Sequence, residues 1–331
     1  MNQGLNRGEC LKIAGLTKNQ FYYIEKGAKP GRAVSNMTVW RDPNTLINYE
    51  VDNRDVVQKI VEIKLDPDHT NWYRMITRTL QILGYYINHK KVYRLMKEYV
   101  LLELAKKRTG RDFVKYRRVS PLAPLRVIEM DIKYVWVYEV KKYAFILTVV
   151  DTFTRYVLHF AVGYTMRSVQ VMELWEQIIE HYFQPAGLLA QKVDIEIRND
   201  NGKQFNSNVV IDFFKENELH QVFTHPYTPE ENGHIESFHK TLGKALEKDR
   251  FTSLEMLEKR LERFYCCYNN DRSHSSILGI APAKFWALLE MDKIEVVPLG
   301  KRRVKFKLKV AYQDILTIES ITKFDYRVVV T

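Results

Sequence analysis

Cysteine is scarce in this chain. Only Cys10, Cys266 and Cys267 occur, with no CxxC spacing, which excludes a disulfide framework and gives no sign of a zinc site. The adjacent pair reads as core filler in a reducing compartment. Long apolar runs are missing too. The most apolar stretch, Tyr143 to Val150, is eight residues long, a buried strand and far short of the ~20 residues of a membrane-spanning helix. The first ten residues, "MNQGLNRGEC", contain no apolar run of the signal-peptide kind. No internal repeat or low-complexity tract occurs. These absences predict a cytoplasmic protein without a membrane partner.

Positive charge is in surplus. The chain has 331 residues, enough for two or three units, and a formal charge of +11, which favours a polyanionic partner. Its distribution says more. Residues 1–120 hold 23 Lys and Arg against 12 Asp and Glu, and residues 299–331 hold 8 against 3. The middle, 121–298, holds 20 against 25. Basic flanks around an acidic centre suggest DNA-gripping arms on a metal-binding core. A generically basic soluble protein is the plainer reading.

"ECLKIAGLTKNQFYYIEKG" reads as two short helices around a Gly-Leu-Thr turn, the second capped by Thr17. A helix-turn-helix-like unit is therefore expected at 1–30. "KPGRAVSN" reads as loop. A second helical unit is expected at 48–104, as a helical pair from about Asp52 to Glu103. Gly84 ends a helix, Asn88 caps the next, and Val92, Leu95 and Met96 share one face. Lys90, Lys91 and Arg94 lie largely elsewhere on that helix, and with Arg74 they are the DNA-contact candidates of this unit. An ordinary amphipathic helix with a solvated face is the competing reading. "KKRTGRDFVKYRR" puts seven basic residues in thirteen ahead of the prolines of "VSPLAP", a basic linker at 105–124.

From Arg126 the pattern changes. "VIEMDIKYVWV", "KYAFILTVV" and "RYVLHFAV" are three β-rich runs joined by short breaks, an antiparallel meander. A helix at Ser168–Phe183, a strand at Val193–Ile197, a helix at Asn208–Glu216, the strand "LHQVFT" and helices near Leu254–Tyr268 and Pro282–Glu290 follow. The expected class is α/β: a mixed sheet with flanking helices over 125–292. The tail, 298–331, reads as several short strands, a small basic β domain.

Three carboxylates in this core have suggestive settings. Asp131 sits in the first strand, where Ile128, Met130 and Ile132 alternate with Glu129, Asp131 and Lys133, so that one face packs and the other is polar. Asp200 follows a strand, beside the Asn201-Gly202 turn, where α/β sheets display functional groups. Glu236 lies in the first turns of the next helix, with 35 residues between it and Asp200. Hard oxygen donors of this kind suit Mg²⁺ or Mn²⁺. Two such ions can activate one oxygen and stabilise another in phosphodiester displacement. Asp151 also ends a strand, but is read as structural.

This set resembles the DDE signature of retroviral integrases and related transposases, whose last two acids share the 35-residue spacing. "HPYTPEENGHIESFHKTL" is similar to the family's proline-tyrosine-proline, asparagine-glycine and glutamate-phenylalanine pattern. "VVDTFTRYVLHFAV" resembles its second and third strands, and "YNNDRSHSSILGIAPAKFW" the segment after the core of insertion-sequence transposases. "CLKIAGLTKNQFYY" and "INHKKVYRLMKEYVLL" resemble the front of the second-frame product of one large insertion-sequence group. The resemblance covers roughly residues 8–290. It implies a ribonuclease-H-like core of five strands and two Mg²⁺ ions, with Mn²⁺ as substitute, held by Asp131, Asp200 and Glu236. It further implies binding of the element's terminal repeats and target DNA by a dimer or larger homo-oligomer, with strand cleavage and strand transfer on nucleoid DNA. Tyr227 and Asn232 are expected to shape the loop before Glu236 and to touch DNA. Two departures stand out. The family carries Lys or Arg seven residues after its glutamate, where this chain has Gly243, so Lys240 and Lys244 are the expected phosphate contacts. The tail does not resemble that group. A DNA-binding regulator with a silent core and a ribonuclease-H-type nuclease that cuts without joining are the alternatives.

Overall fold

The computed structural model describes residues 6–22, 35–69, 72–103, 121–191, 193–224, 232–299 and 304–318. The chain divides into two compact units, Met1–Asn36 and Met37–Thr331. In the first, α1 (Arg7–Ile13) and α2 (Lys18–Phe21) flank Gly15, whose φ of 66° lies in the left-handed region glycine adopts freely. Thr17 caps α2 as expected, accepting from the Gln20 amide while the Gln20 side chain accepts from the Thr17 amide.

The second unit opens with a hairpin, β1 (Met37–Arg41) and β2 (Asn48–Asp52), that the sequence reading passed over. Its strands are short and mostly exposed, which hides the alternation a buried strand shows. Three helices follow where a pair was expected: α3 (Asn53–Leu65), α4 (Tyr73–Ile82) and α5 (His89–Glu98). Pro67 supplies the break, because the residue before proline avoids helical backbone. Asn88 caps α5. Gly84 ends α4 at φ 94°, and a Cβ there would sit 2.1 Å from the Arg41 carbonyl oxygen, so only glycine fits. Val56, Ile60, Ile76, Leu80, Val92 and Met96 form a core of their own.

The central sheet comprises β3 (Val127–Val137), β4 (Lys142–Asp151), β5 (Val157–Gly163), β6 (Ile195–Asn199) and β7 (Leu219–Phe223). They lie in the order β5-β4-β3-β6-β7, antiparallel across the first three and parallel from β3 outward. This is the ribonuclease-H-like arrangement. β6 starts two residues later than expected, at Ile195. The helix expected at 168–183 is α6 (Ser168–Ile178) continued by a π-turn, Ile179–Phe183. With α7 (Asn208–Glu216) it covers the face built by Ile128, Met130 and Ile132. The other face carries α8 (Gly233–Ala245) and α9 (Leu254–Asn270), through Ile235, Phe238, Leu242, Leu261 and Tyr265. The odd-numbered face of β3 is therefore covered, contrary to the expected polar face. Val137 and even Glu129 are fully buried there.

After α10 (Pro282–Glu290) the described residues form a hairpin, β8 (Ile294–Pro298) and β9 (Val304–Leu308), then a 3-10 turn, Tyr312–Asp314. Several strands were expected from 298 onward, but the described part of the tail packs Phe306 against Phe153 and Phe285 in a core shared with α10. The turn then docks on the helical unit. Arg41 pairs with Asp314 at 2.7 Å, the Arg78 guanidinium lies 4.3 Å from the Tyr312 ring, and Gln313 donates to the Tyr85 carbonyl. A second attachment joins the α3–α4 loop to α9. Asp68, fully buried, accepts from both Arg260 terminal nitrogens at 2.7 and 3.1 Å, while Arg272 donates to the Asp68 and His69 carbonyls. The stretch 104–120 and residues 319–331 lie outside the described residues, and with them most of the expected basic linker. No helix among the described residues is long and apolar enough to cross a membrane.

Candidate active site

Asp131 stands mid-way along β3, half-buried, on the face that α8 covers. One carboxylate oxygen accepts from the Ile132 amide at 2.8 Å, and the other lies 3.3 Å from His239 Nδ1. Asp200 follows β6, the parallel neighbour of β3. A turn holds it: Asp200 Oδ1 accepts from the Gly202 amide at 3.0 Å, and Asn201 donates to the Thr224 carbonyl at the end of β7. A Cβ on Gly202 would meet Gln204 Nε2 at 2.4 Å and Asp200 Oδ1 at 2.9 Å, so a side chain there would push the Gln204 and Asp200 ends out of place. Crowding by protein atoms raises the Asp200 pKa, the Gly202 amide pulls it back, and the Asp131 charge raises it further, for a net upward shift. The charge of the first acid is thus felt at the second.

Glu236 lies in the first turn of α8, with its side chain 35% exposed. What holds that turn was not legible in the sequence. Asn232, the residue at the N-cap, is buried and makes no side-chain cap. Its place is taken from the sheet. Glu129 accepts from the His234 amide at 3.0 Å, the Ile235 amide at 2.8 Å and His234 Nδ1 at 2.7 Å. A buried carboxylate thus receives two of the helix's orphan N–H groups at its positive end. Glu129 and Asp131 are two apart on one face of β3, and their partners His234 and His239 are five apart on α8. About 6.6 Å of strand matches about 7.5 Å of helix, so the pairs set the height of Glu236 along β3. In sequence, His225, His234 and His239 cluster around Glu236 without zinc spacing, as phosphate contacts or packing would. His225 lies outside the described residues, and the other two hold carboxylates.

Among the described residues no three of His, Cys, Asp and Glu gather closely enough to hold a metal ion. The donors themselves suit a hard cation: carboxylate oxygens, with the charge of Asp131 felt at Asp200. Asp151 is no part of this set. It is fully buried and accepts from the Leu125 amide and from the Thr154 amide and hydroxyl, closing the turn after β4.

The DNA-contact candidates fall in different settings. Lys90 and Lys244 are exposed. Lys240 is exposed, with Nζ 3.9 Å from Glu236 Oε2. Lys91 is half-buried and donates to the Met37 carbonyl at 2.6 Å; burial, then the charge of Arg94, lowers its pKa. Arg94 is half-buried beside it. Arg74 lies over the Trp72 and Tyr73 rings. Tyr227 lies outside the described residues.

Comparison with known proteins matches this geometry. The integrase core domain family matches residues 121–229, a second integrase core domain family matches 217–282, and the HTH-like domain matches 50–109. An insertion element IS476 protein of 39.2 kDa from Xanthomonas euvesicatoria is 30% identical over 204 residues, covering 61% of this chain and 56% of its own. This chain therefore spans little more than half the length of that relative. InsK of insertion sequence element IS150 from Escherichia coli (strain K12), described as a transposase, is 24% identical over 291 residues, covering 84% and 92%. The catalytic core domain of BIV integrase aligns at 22% identity, covering 51% of this chain and 98% of that one, with a TM-score of 0.37. Residues 121–282 are thus similar to integrase core domains, and residues 50–109, ahead of them, to an HTH-like domain. The insertion-element proteins of Xanthomonas euvesicatoria and Escherichia coli are among the proteins this chain is similar to.

Proposed function

We propose that this protein recognises the terminal inverted repeats of an insertion sequence, cuts a DNA strand at the element's end and joins the freed 3′-hydroxyl to target DNA. Asp131, Asp200 and Glu236 would hold two Mg²⁺ ions, with Mn²⁺ as substitute. Such ions sharpen an attacking oxygen and steady the leaving one. In cleavage, water forms a bond to phosphorus while the P–O3′ bond breaks, and the leaving oxygen takes a proton. In joining, that 3′-hydroxyl oxygen forms the new bond to a target phosphorus, losing its proton, and the target's own 3′-oxygen departs. Bonds of one kind are exchanged, so no protein nucleophile and no outside energy source is needed.

The observation that carries this reading is the placement of Asp131 on β3 and of Asp200 just past the end of its parallel neighbour β6, near enough for the Asp131 charge to raise the Asp200 pKa, beside a helix pinned to β3 one residue before Glu236. Like charges gain from proximity only when a cation joins them. A DNA-binding regulator with a silent core has no use for that arrangement, and a nuclease that only cuts has no use for an HTH-like domain. The α3–α5 unit, through Lys90, Lys91, Arg94 and Arg74, would read the terminal repeat. Lys240 and Lys244, with Tyr227 and Asn232, would meet DNA near the acids. Synapsis of two element ends calls for a dimer or larger homo-oligomer, acting on nucleoid DNA in the cytoplasm.

The test is incubation with the element's own ends and Mg²⁺, followed by separation of nicked and joined strands. Asp131→Asn, Asp200→Asn and Glu236→Gln should each abolish both products while filter binding of the same duplex stays near parental. Near-normal strand transfer by any of them removes that residue from the set.

A further inference from the structure

Lys133 is the third rung of the contact between β3 and α8. Glu129 meets His234 and Asp131 meets His239. Two residues further along the strand and four along the helix, Lys133 meets Gly243: its Nζ lies 3.4 Å, and its Cε 3.6 Å, from where a Gly243 Cβ would stand. The helical step of about 6 Å again matches the strand step of about 6.6 Å. A Cβ at 243 would stand in ordinary van der Waals contact with the end of the Lys133 chain, so the two positions face one space.

The ammonium placed there is unusual. Lys133 is half-buried, and among the described residues it makes no hydrogen bond or ion pair. A lysine drawn partly out of water without a carboxylate costs free energy unless an anion completes it. Its near charges on β3 are Asp131, two residues back on the same face, and Glu129 beyond. Asp131 faces His239, and Glu129 is committed to α8. Lys240, by contrast, is exposed and loosely paired with Glu236.

We propose that Lys133 binds a phosphate of the DNA strand lying against the carboxylates, from the space it shares with position 243. Gly243 stands where the resembling family carries its cation, so here the strand supplies the charge that the helix leaves out. The inference rests on the strand-transfer reading above. The phosphate belongs either to the cleaved element end or to the target, and the two give different kinetics.

The experiment is single-turnover joining of pre-cleaved ends across a range of target concentrations, with Lys133→Met, which keeps length and apolar bulk but removes the charge. Joining should fall about tenfold or more, the scale of a lost hydrogen bond to a charged group, with bulk duplex affinity within about threefold. A raised half-saturating target concentration assigns the phosphate to the target. A lowered plateau rate at saturating target assigns it to the element end. The double variant Lys133→Met with Gly243→Lys returns a cation to the same space from the helix side and should recover most of the loss. That recovery excludes a purely structural role, as does a melting temperature close to parental for Lys133→Met. Parental joining by Lys133→Met, or no recovery in a folded double variant, overturns the inference. Asp131→Asn is the control: if it also joins normally, the strand-transfer reading itself has failed.

Discussion

Replacing Glu129 by alanine should loosen the start of α8 without touching Glu236. The Glu129 carboxylate is fully buried and serves the His234 and Ile235 amides at 3.0 and 2.8 Å and the His234 ring at 2.7 Å. Alanine leaves two backbone N–H groups without an acceptor, at ~1–3 kcal/mol each, so about 2–6 kcal/mol is withdrawn from this helix end. Glutamine keeps one acceptor oxygen and should lose roughly half of that. The assay is amide hydrogen exchange read at His234 and Ile235. A loss of 2 kcal/mol predicts exchange about 30-fold faster, since ~1.4 kcal/mol corresponds to tenfold. The effect should fade toward Leu242, which is held by its own burial. Joining should fall alongside by roughly 10–100-fold, because a displacement of about 1 Å at a reacting centre costs on the order of 100-fold. Parental protection of both amides in a folded Glu129→Ala protein would refute the reasoning, whatever the activity.

Arg260→Ala removes two hydrogen bonds from the buried Asp68 and leaves it only Arg263 Nε at 3.6 Å, which predicts a loss of about 1.5–3 kcal/mol in denaturant unfolding; Asp68→Asn in the same background should recover part of it, and an unchanged midpoint would contradict the pairing. Burial, then Arg155 and Arg272, hold His274 down to about 3, so the folded state refuses a proton that the unfolded chain takes up at about 6.5. Stability should therefore be fully present above about pH 6.5 and decline as pH falls toward 3, and His274→Gln should flatten that slope in melts taken from pH 7 to 4. The Cys267 thiol is pushed up to about 12 by burial, while Cys10 and Cys266 are exposed; an alkylating agent at pH 8 should label the latter two quickly and Cys267 only on unfolding, as peptide mass analysis would show.

The elements with strong periodicity were legible from the sequence. β3, β4 and β5 read as strands because buried residues crowd them, and α7 and α10 fall at the residues expected because a cap or a proline starts each. The hairpin at 37–52 was not legible, since most of its side chains face water and it owes its place to Thr38 bonding Asn53 and Trp40 bonding the Leu83 carbonyl. The polar face assigned to β3 was wrong for a related reason. Alternation marks which residues share a side, not what covers them, and Glu129 is polar yet wholly enclosed. The roles of Glu129, His239 and Lys133 were not legible because each depends on a partner about 100 positions away. Lone acids and bases carry no local signal of that kind.

The fastening of the 3-10 turn to the helical unit has a consequence for synthesis. Arg41 and Asp314 are separated by 273 positions, and Tyr85 and Gln313 by 228. At the ~5–20 residues per second of translation, Tyr85 waits roughly 10–50 s for its partner to be made. Through that interval Ile82 lacks Ile315, with which it shares a core. A nascent chain thus displays an apolar seam on α4 for far longer than a helix takes to form, long enough for chaperones to find it. A ribosome that stops before residue 304 leaves the seam permanently open.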